Sequence, residues 1–259
     1  MTPTLFRHAD RVPPKFRPLK ALGHFRKLMA DKEDTEQVFH IFECLPRKGF
    51  LPDAKAFIDS PQGQRLMENE PFLPTILDDH ETLKRLPAGT VGRAYVEFMQ
   101  REGLSAAGLV AESEKMRAGR PRYGDQLEWY GDRLRDTHDL LHVLTGYGRD
   151  ALGEQCVLGF TYGQNRNLGN FFIAYLGGLE LSRRVKVGAP VMAAIREGQR
   201  NGTKAANLVD ESIVALLAEP IEAARRRLNL SSPMQYQRAH DAYRARNIDP
   251  YNFLATATA

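Results

Sequence analysis

Residues Tyr130–Glu154 read YGDRLRDTHDLLHVLTGYGRDALGE. Within this stretch His138, Asp139 and His142 are followed, after eleven residues, by Glu154. Two histidines four apart on an α-helix share one face, about 6 Å apart along the axis, and at that spacing two imidazoles can hold one metal ion. Leu127, Tyr130, Leu134, Leu141 and Thr145 recur at intervals of three, four or seven. This periodicity predicts one long helix with an inward apolar stripe, in which His138 takes the place between Leu134 and Leu141. His142 then sits about 40° round from His138, with Asp139 about 100° away on the same side, which makes His142 the middle ligand. Gly146 and Gly148 let the chain reverse, since glycine accepts the positive φ of a tight helix end. On the next helix Ala151, Glu154, Leu158 and Tyr162 share a face, so Glu154 is expected to point inward, back towards the imidazoles. A carboxylate on a buried face needs a cationic partner, a proton or a metal. The plainer alternative keeps His138 and His142 as hydrogen-bonded core histidines and pairs Glu154 with Arg149. Four donors on converging faces favour the metal.

The rest of the chain narrows the class. It has 259 residues, 42% of them hydrophobic and 26% charged, ordinary for a globular protein and long enough for a substantial core. The net charge of +4 is too weak to argue for nucleic acid, and none is expected as a partner, but it suits an anionic membrane surface or a carboxylated ligand. Two cysteines, Cys44 and Cys156, make no disulfide framework and no zinc ribbon. Residues 1–30 carry seven Lys or Arg against one acid, Asp10. Pro3, Pro13, Pro14 and Pro18 break the amphipathic helix a transit peptide needs, so 1–30 reads as a basic, proline-rich arm.

Beyond the arm, Val38, Ile41, Phe42 and Leu45 predict a short amphipathic helix, and Ser60 before Pro61 predicts a capped helix start. Asp78, Asp79 and Glu81 read as exposed acids. Thr90 can cap a helix with Val91, Ala94, Tyr95 and Phe98 on one face. Residues 119–124 form a basic linker and the expected lobe boundary. Glu128, Asp132 and Asp136 predict a solvated, salt-bridged face. From Leu168 onward Phe171, Phe172, Ile173, Tyr175 and Leu176 are apolar round most of a helix, with Gly159, Gly163, Gly177 and Gly178 nearby. Such a segment is either close-packed core or the lining of an apolar cavity. Ala206, Val209, Ile213, Leu216 and Leu217 predict a helix ending at Pro220, and Ser232–Pro233 the start of a last helix bearing Tyr236, Ala239 and Tyr243. Period-two apolar runs and βαβ alternation are both missing, so 31–259 is expected to be a single compact all-α domain.

The segment His138–Glu154 resembles the signature of the coenzyme Q biosynthesis protein 4 family, His-Asp-x-x-His followed by eleven residues and Glu. LPAGTVGRAYVEFM, Leu86–Met99, and the lead-in Trp129–Arg135 resemble that family too, and the likeness covers residues 70 to 250. The resemblance implies a divalent metal at His138, Asp139, His142 and Glu154. Two histidines suit zinc, while iron, manganese or magnesium are also admitted. It further implies oxidative removal of the C1 carboxylate from a polyprenylated 4-hydroxybenzoate-type precursor of ubiquinone. Phe171, Phe172, Tyr175 and Leu176 would then house the prenyl tail. Other ubiquinone biosynthesis proteins and a second copy of the chain are the expected protein partners. The expected location is the cytoplasmic face of a bacterial inner membrane, or the matrix side of the mitochondrial one. Two alternatives stay open: a prenyl-lipid-binding scaffold without catalysis, and a metallohydrolase of the HD type, which would need His40, His80 or Asp136 as further ligands.

Overall fold

The computed structural model describes residues 3–31, 34–117 and 119–252. Met1 and Thr2 of the expected arm, and 253–259 of the expected helical domain, lie outside the described residues. Among the described residues the regular elements are helical, and one isolated bridge pairs Thr90 with Pro220. In chain order the helices are α1 (Pro18–Ala30), α2 (Glu36–Cys44), α3 (Phe50–Asp59), α4 (Pro61–Asn69), α5 (Leu73–Leu77), α6 (His80–Leu83), α7 (Val91–Glu102) and α8 (Ala106–Arg117). There follow α9 (Gln126–Asp136), α10 (His138–Thr145), α11 (Ala151–Asn165), α12 (Leu168–Arg184), α13 (Val191–Lys204), α14 (Ile213–Ala218), α15 (Ile221–Arg227) and α16 (Met234–Arg244). Proximity groups the residues into two compact units: the chain through Leu140 with Asn207–Ala224, and Leu141–Ala206 with the chain from Arg225.

In the first unit α9 buries Leu127, Trp129 and Tyr130 against Ala54 and Ile58 of α3 and Leu66 and Met67 of α4. Ser60 accepts from Gly63 N at the start of α4, and Thr90 from Arg93 N at the start of α7, both as their sequence positions predict. Arg133 on α9 is only 1% exposed. Its guanidinium reaches Glu70 Oε2 at 2.8 Å and the Val209 carbonyl at 2.9 Å, and it also donates to the Glu211 carbonyl. The same carboxylate accepts from Ser212 Oγ and Val214 N at Oε1 and from Ile213 N at Oε2, so one buried ion pair also caps α14.

Several sequence expectations change here. Residues 18–30 of the arm are helical, because Pro18 occupies the first turn, where the missing N–H has no helical partner to lose. Asp78 caps α8, accepting from Ala106 N and Ala107 N. The linker 119–124 lies inside the first unit, because Arg120 pairs with Glu43 and Arg122 with Glu114. The acids of α9 are salt-bridged but turned inward. Glu128 meets Arg117 at 2.6 Å, and Arg135 reaches both Asp132 and Asp136 at 2.8 Å. Burial raises the Asp132 carboxyl and pushes Asp136 up to about 6. The helix expected over 206–217 is interrupted, with a 3₁₀ turn at Leu208–Asp210 and a fresh start capped by Ser212.

The second unit is organised by α11, which packs on α12 and α13. Its buried face is Leu152, Cys156, Gly159, Phe160 and Gly163. A β-carbon on Gly159 would stand 2.9 Å from the Ile195 carbonyl, and one on Gly198 would stand 2.6 Å from the Cys156 carbonyl. Added β-carbons on Gly163 and Gly202 would likewise overlap the Gln199 and Phe160 carbonyls. The glycines at 159 and 163 therefore serve close backbone approach. Gly177 and Gly178 are filled by the Gln155 side chain and by Ile195 and Met192.

Candidate metal centre

The single long helix predicted over Leu127–Thr145 is two helices. Thr137 breaks it at φ −85° and ψ 0°, with its hydroxyl bonded back to the Arg133 carbonyl at 3.0 Å. A new helix begins at His138, so α10 carries His138, Asp139 and His142 in its own register. One ligand atom from each of these three lies within 4.8 Å of the others. Asp139 and His142 are buried and His138 is half-buried. At the far end of α10 Gly146 takes φ +77°, as the reversal requires, and its N–H bonds to the His142 carbonyl. Arg225 donates to the Val143 and Leu144 carbonyls at 3.0 and 2.8 Å, satisfying two acceptors that a helix end leaves open.

His142 Nδ1 lies 3.1 Å from the Tyr147 carbonyl. A carbonyl can only accept, so Nδ1 carries the hydrogen and the neutral ring presents its lone pair at Nε2. That nitrogen is 3.5 Å from Glu154 Oε2. A lone pair and a carboxylate oxygen facing each other at this range are drawn together by a cation, either a proton on the ring or a metal ion. Two imidazole nitrogens and the Asp139 carboxylate on α10, with the Glu154 carboxylate of α11 beside His142, are the donor chemistry that borderline divalent ions take. The residues fit such an ion.

Glu154 departs from its predicted orientation. Because α11 buries the face of Leu152, Cys156 and Phe160, Glu154 lies on the flank with its side chain 29% exposed, and Arg149 Nε sits 3.4 Å from Oε1. The plainer expectation, hydrogen-bonded histidines and an Arg149–Glu154 pair, is thus present alongside the approach of Glu154 to His142.

Among the described residues the group of donors close enough to share an ion is His138, Asp139 and His142; Glu154, which approaches His142, stands outside it, as do His40, His80 and Asp136. His40 is stacked on His24 with ring centroids 4.6 Å apart and pairs with Glu36, and Asp136 is bonded to Arg135. The HD-type hydrolase reading therefore lacks its further ligands. On α12 Phe171 is 41% exposed, while Phe172, Tyr175 and Leu176 are half-buried. The Phe171 ring lies 5.0 Å from Tyr162 and 4.6 Å from Tyr175, an aromatic strip partly open to the outside.

Sequence reasoning missed the Tyr147 carbonyl, Arg225 and Asp150. Asp150 caps α11 by accepting from Leu152 N and Gly153 N, a role its position just before the helix could have revealed. Arg225 acts across 81 and 82 residues of chain and leaves no local signal, while the Tyr147 carbonyl lies only five residues from His142 but is a backbone group, to which residue type gives no clue.

Residues 51–234 match the profile of the family described as coenzyme Q (ubiquinone) biosynthesis protein Coq4. The mitochondrial ubiquinone biosynthesis protein coq4 of Botryotinia fuckeliana is 26% identical over 191 residues, 69% of this chain and 61% of its own length. The protein of the same name from Sclerotinia sclerotiorum is 24% identical over 203 residues, 74% of this chain and 64% of its own. The chain therefore spans less than two thirds of the length of these relatives. A crystal structure of a Nostoc punctiforme protein assigned to ubiquinone biosynthesis superposes with a TM-score of 0.62 at 20% identity, covering 84% of this chain and 100% of that one, which shows a shared fold. With the family profile matched over well more than half of its residues, the chain belongs to the coenzyme Q (ubiquinone) biosynthesis protein Coq4 family.

Proposed function

We propose that this protein acts in ubiquinone biosynthesis as a metal-dependent enzyme that removes the C1 carboxylate of a polyprenylated 4-hydroxybenzoate-type precursor. The observation that carries the reading is His142, whose Nδ1 is held by the Tyr147 carbonyl while its Nε2 faces Glu154 at 3.5 Å, with His138 and Asp139 on the same helix. His138, Asp139, His142 and Glu154 would hold a divalent ion, zinc being the best match to two imidazoles and two carboxylates, with iron, manganese and magnesium as competitors. Such an ion supplies positive charge that can bind the substrate carboxylate or phenolate and draw electron density from the ring. In the reaction the C1–carboxylate bond breaks, carbon dioxide leaves, and in the non-oxidative form a proton takes the vacated position on the ring carbon. In the oxidative form the ring carbon takes a hydroxyl oxygen from an external oxidant. The chain's own contribution is to orient the aryl acid at α10 and to bind its tail along Phe171, Phe172, Tyr175 and Leu176.

No helix among the described residues is long and apolar enough to cross a membrane. Attachment at the membrane surface through the aromatic strip of α12 is the mode this reading takes. The matched relatives carry the designation mitochondrial, which agrees with a site on the membrane where ubiquinone is made. The exposed aromatic strip also supports a second reading, a prenyl-lipid-binding scaffold for other ubiquinone biosynthesis proteins, with a second copy of the chain among its partners.

One experiment separates these readings: elemental analysis of the native protein, mass spectrometry of co-purifying lipid, and turnover of a carboxyl-labelled prenylated 4-hydroxybenzoate. The enzyme reading requires bound metal, release of labelled carbon dioxide, and loss of both in His142→Ala. Full turnover by metal-free protein refutes it. Lipid binding with no turnover by the metal-loaded protein leaves the scaffold.

A further inference from the structure

We infer that Tyr236 and His240 of α16 act through Asp150 as positioning residues of the metal centre, fixing the loop that orients His142 and the helix that carries Glu154. The inference rests on the metal reading above and adds residues which that reading does not use.

The loop Gly146–Asp150 joins α10 to α11, and the centre depends on it twice. Its Tyr147 carbonyl receives the His142 Nδ1 hydrogen at 3.1 Å, and so decides which ring nitrogen is left for a ligand bond. Its Asp150 starts α11: Oδ1 accepts from Leu152 N at 3.1 Å and Gly153 N at 3.2 Å, and the backbone carbonyl accepts from Glu154 N at 3.0 Å. Both points are tied to α16. The Tyr236 hydroxyl donates to Asp150 Oδ2 and accepts from Gly148 N at 3.0 Å, next door to the Tyr147 carbonyl. His240 Nε2 stands 3.2 Å from Asp150 Oδ1. The Tyr236 ring lies 5.4 Å, edge-on, from Tyr147 and 4.2 Å from His240.

The arrangement is closely built. Asp150, Tyr236 and His240 are all buried. A β-carbon on Gly148 would come 2.8 Å from the Tyr236 hydroxyl and 2.5 Å from that of Tyr251, so only glycine admits the phenol at this place. Burial and the adjacent Asp150 carboxylate push the Tyr236 phenol far up, which keeps it a proton donor at neutral pH. A plain helix cap needs Asp150 alone. The added phenol holds its second oxygen and the Gly148 amide, with the His240 imidazole beside the first oxygen, and this fixes where the Tyr147 carbonyl points.

The test uses the full chain, stripped of metal, with Zn²⁺ as the probe in competition against a chromophoric chelator, and Co²⁺ absorption as the signature of coordination. Outer partners of metal-bound histidines typically change affinity by about 10–100-fold, and Tyr236→Phe is expected to weaken Zn²⁺ binding within that range and to alter the Co²⁺ ligand-field bands. Asp150→Asn keeps the cap acceptor and loses the charge, so it is expected to fall between wild type and Tyr236→Phe, and it serves if the latter does not fold. Ile195→Val in the α11–α13 contact lowers thermal stability without touching the loop, and is expected to bind Zn²⁺ like wild type. Tyr236→Phe and Asp150→Asn both binding Zn²⁺ within twofold of wild type, while His142→Ala does not bind, overturns this inference and spares the metal reading. Wild type that binds no Zn²⁺ overturns both.

Discussion

Replacing Gly198 by alanine should destabilise the second unit, although alanine is the better helix former. The Gly198 position in α13 faces the α11 backbone, where the new β-carbon would stand 2.6 Å from the Cys156 carbonyl oxygen and 3.4 Å from the Tyr147 hydroxyl. Ordinary contact begins near 3.4 Å, so the two helices must separate by about 0.8 Å, and a backbone carbonyl inside a helix cannot rotate away. Overpacking of this kind costs about 2–3 kcal/mol, and the gain in helix propensity from glycine to alanine offsets about 1 kcal/mol. The net loss is about 1–2 kcal/mol, which lowers Tm by roughly 2–8 °C for a chain of this size. Gly131→Ala in α9 is the control, since nothing lies within 4 Å of its added β-carbon. There the propensity gain stands alone, and Tm should rise by roughly 2–4 °C. Differential scanning calorimetry of the three proteins reads both signs. A Gly198→Ala protein that melts at or above wild type would refute the close helix contact and, with it, the account of why glycines lie in this segment.

Truncating Arg133 to alanine leaves the Glu70 carboxylate buried with its strongest partner gone, and should lower stability by about 3–5 kcal/mol in urea unfolding; a loss below about 1 kcal/mol would show that Glu70 is satisfied without it. Burial would lift the Asp125 carboxyl, but hydrogen bonds from Arg11 and from the backbone N–H groups of His8 and Glu128 outweigh it and hold it below the usual range. A lowered carboxylate stabilises the fold above its unfolded value near ~3.9 and loses that contribution as pH falls through the lower folded value. Asp125→Asn should therefore flatten the acid limb of a Tm–pH curve and leave the region above pH ~5 parallel to wild type; an unchanged acid limb would remove Asp125 from the account. Glu154→Ala should weaken Zn²⁺ binding by at least tenfold while Arg149→Ala does not, as read by chelator competition, and the reverse order would assign Glu154 to the ion pair alone.

The all-helical fold and the family were legible because the decisive signals are local. The proline after Ser60, Thr90 before Val91, and the glycines after Thr145 each act on the few residues beside them. Where reading failed, tertiary chemistry overrode a local pattern. The stripe from Leu127 to Thr145 runs on without a gap, yet Thr137 turns its hydroxyl onto the Arg133 carbonyl and the helix restarts. The acids Glu128, Asp132 and Asp136 read as a wet face, because periodicity cannot foresee Arg117 and Arg135 folding over them. Glu154 shows the finer limit. Ala151, Leu158 and Tyr162 place it on an apolar face, whereas glycines at 159 and 163 bring α13 onto the neighbouring face instead. The carboxylate still comes to 3.5 Å from His142, because the tight turn at Gly146 and the cap at Asp150 set that distance rather than the apolar stripe.

The donors His138, Asp139, His142 and Glu154 all come from one short run of chain, and bonds from Gly146 N to the His142 carbonyl and from Glu154 N to the Asp150 carbonyl shape the turn locally, beside the pins that Tyr236 adds from α16. Bringing them together loses little chain entropy, because the closure penalty grows only by about 0.6 kcal/mol per doubling of the loop and this loop is short. An ion could therefore be captured by this hairpin while distant segments are still unordered, acting as a clasp during synthesis. The same locality has a drawback: an unfolded chain would retain some affinity, so metal would raise the melting temperature by less than its affinity for the folded protein implies.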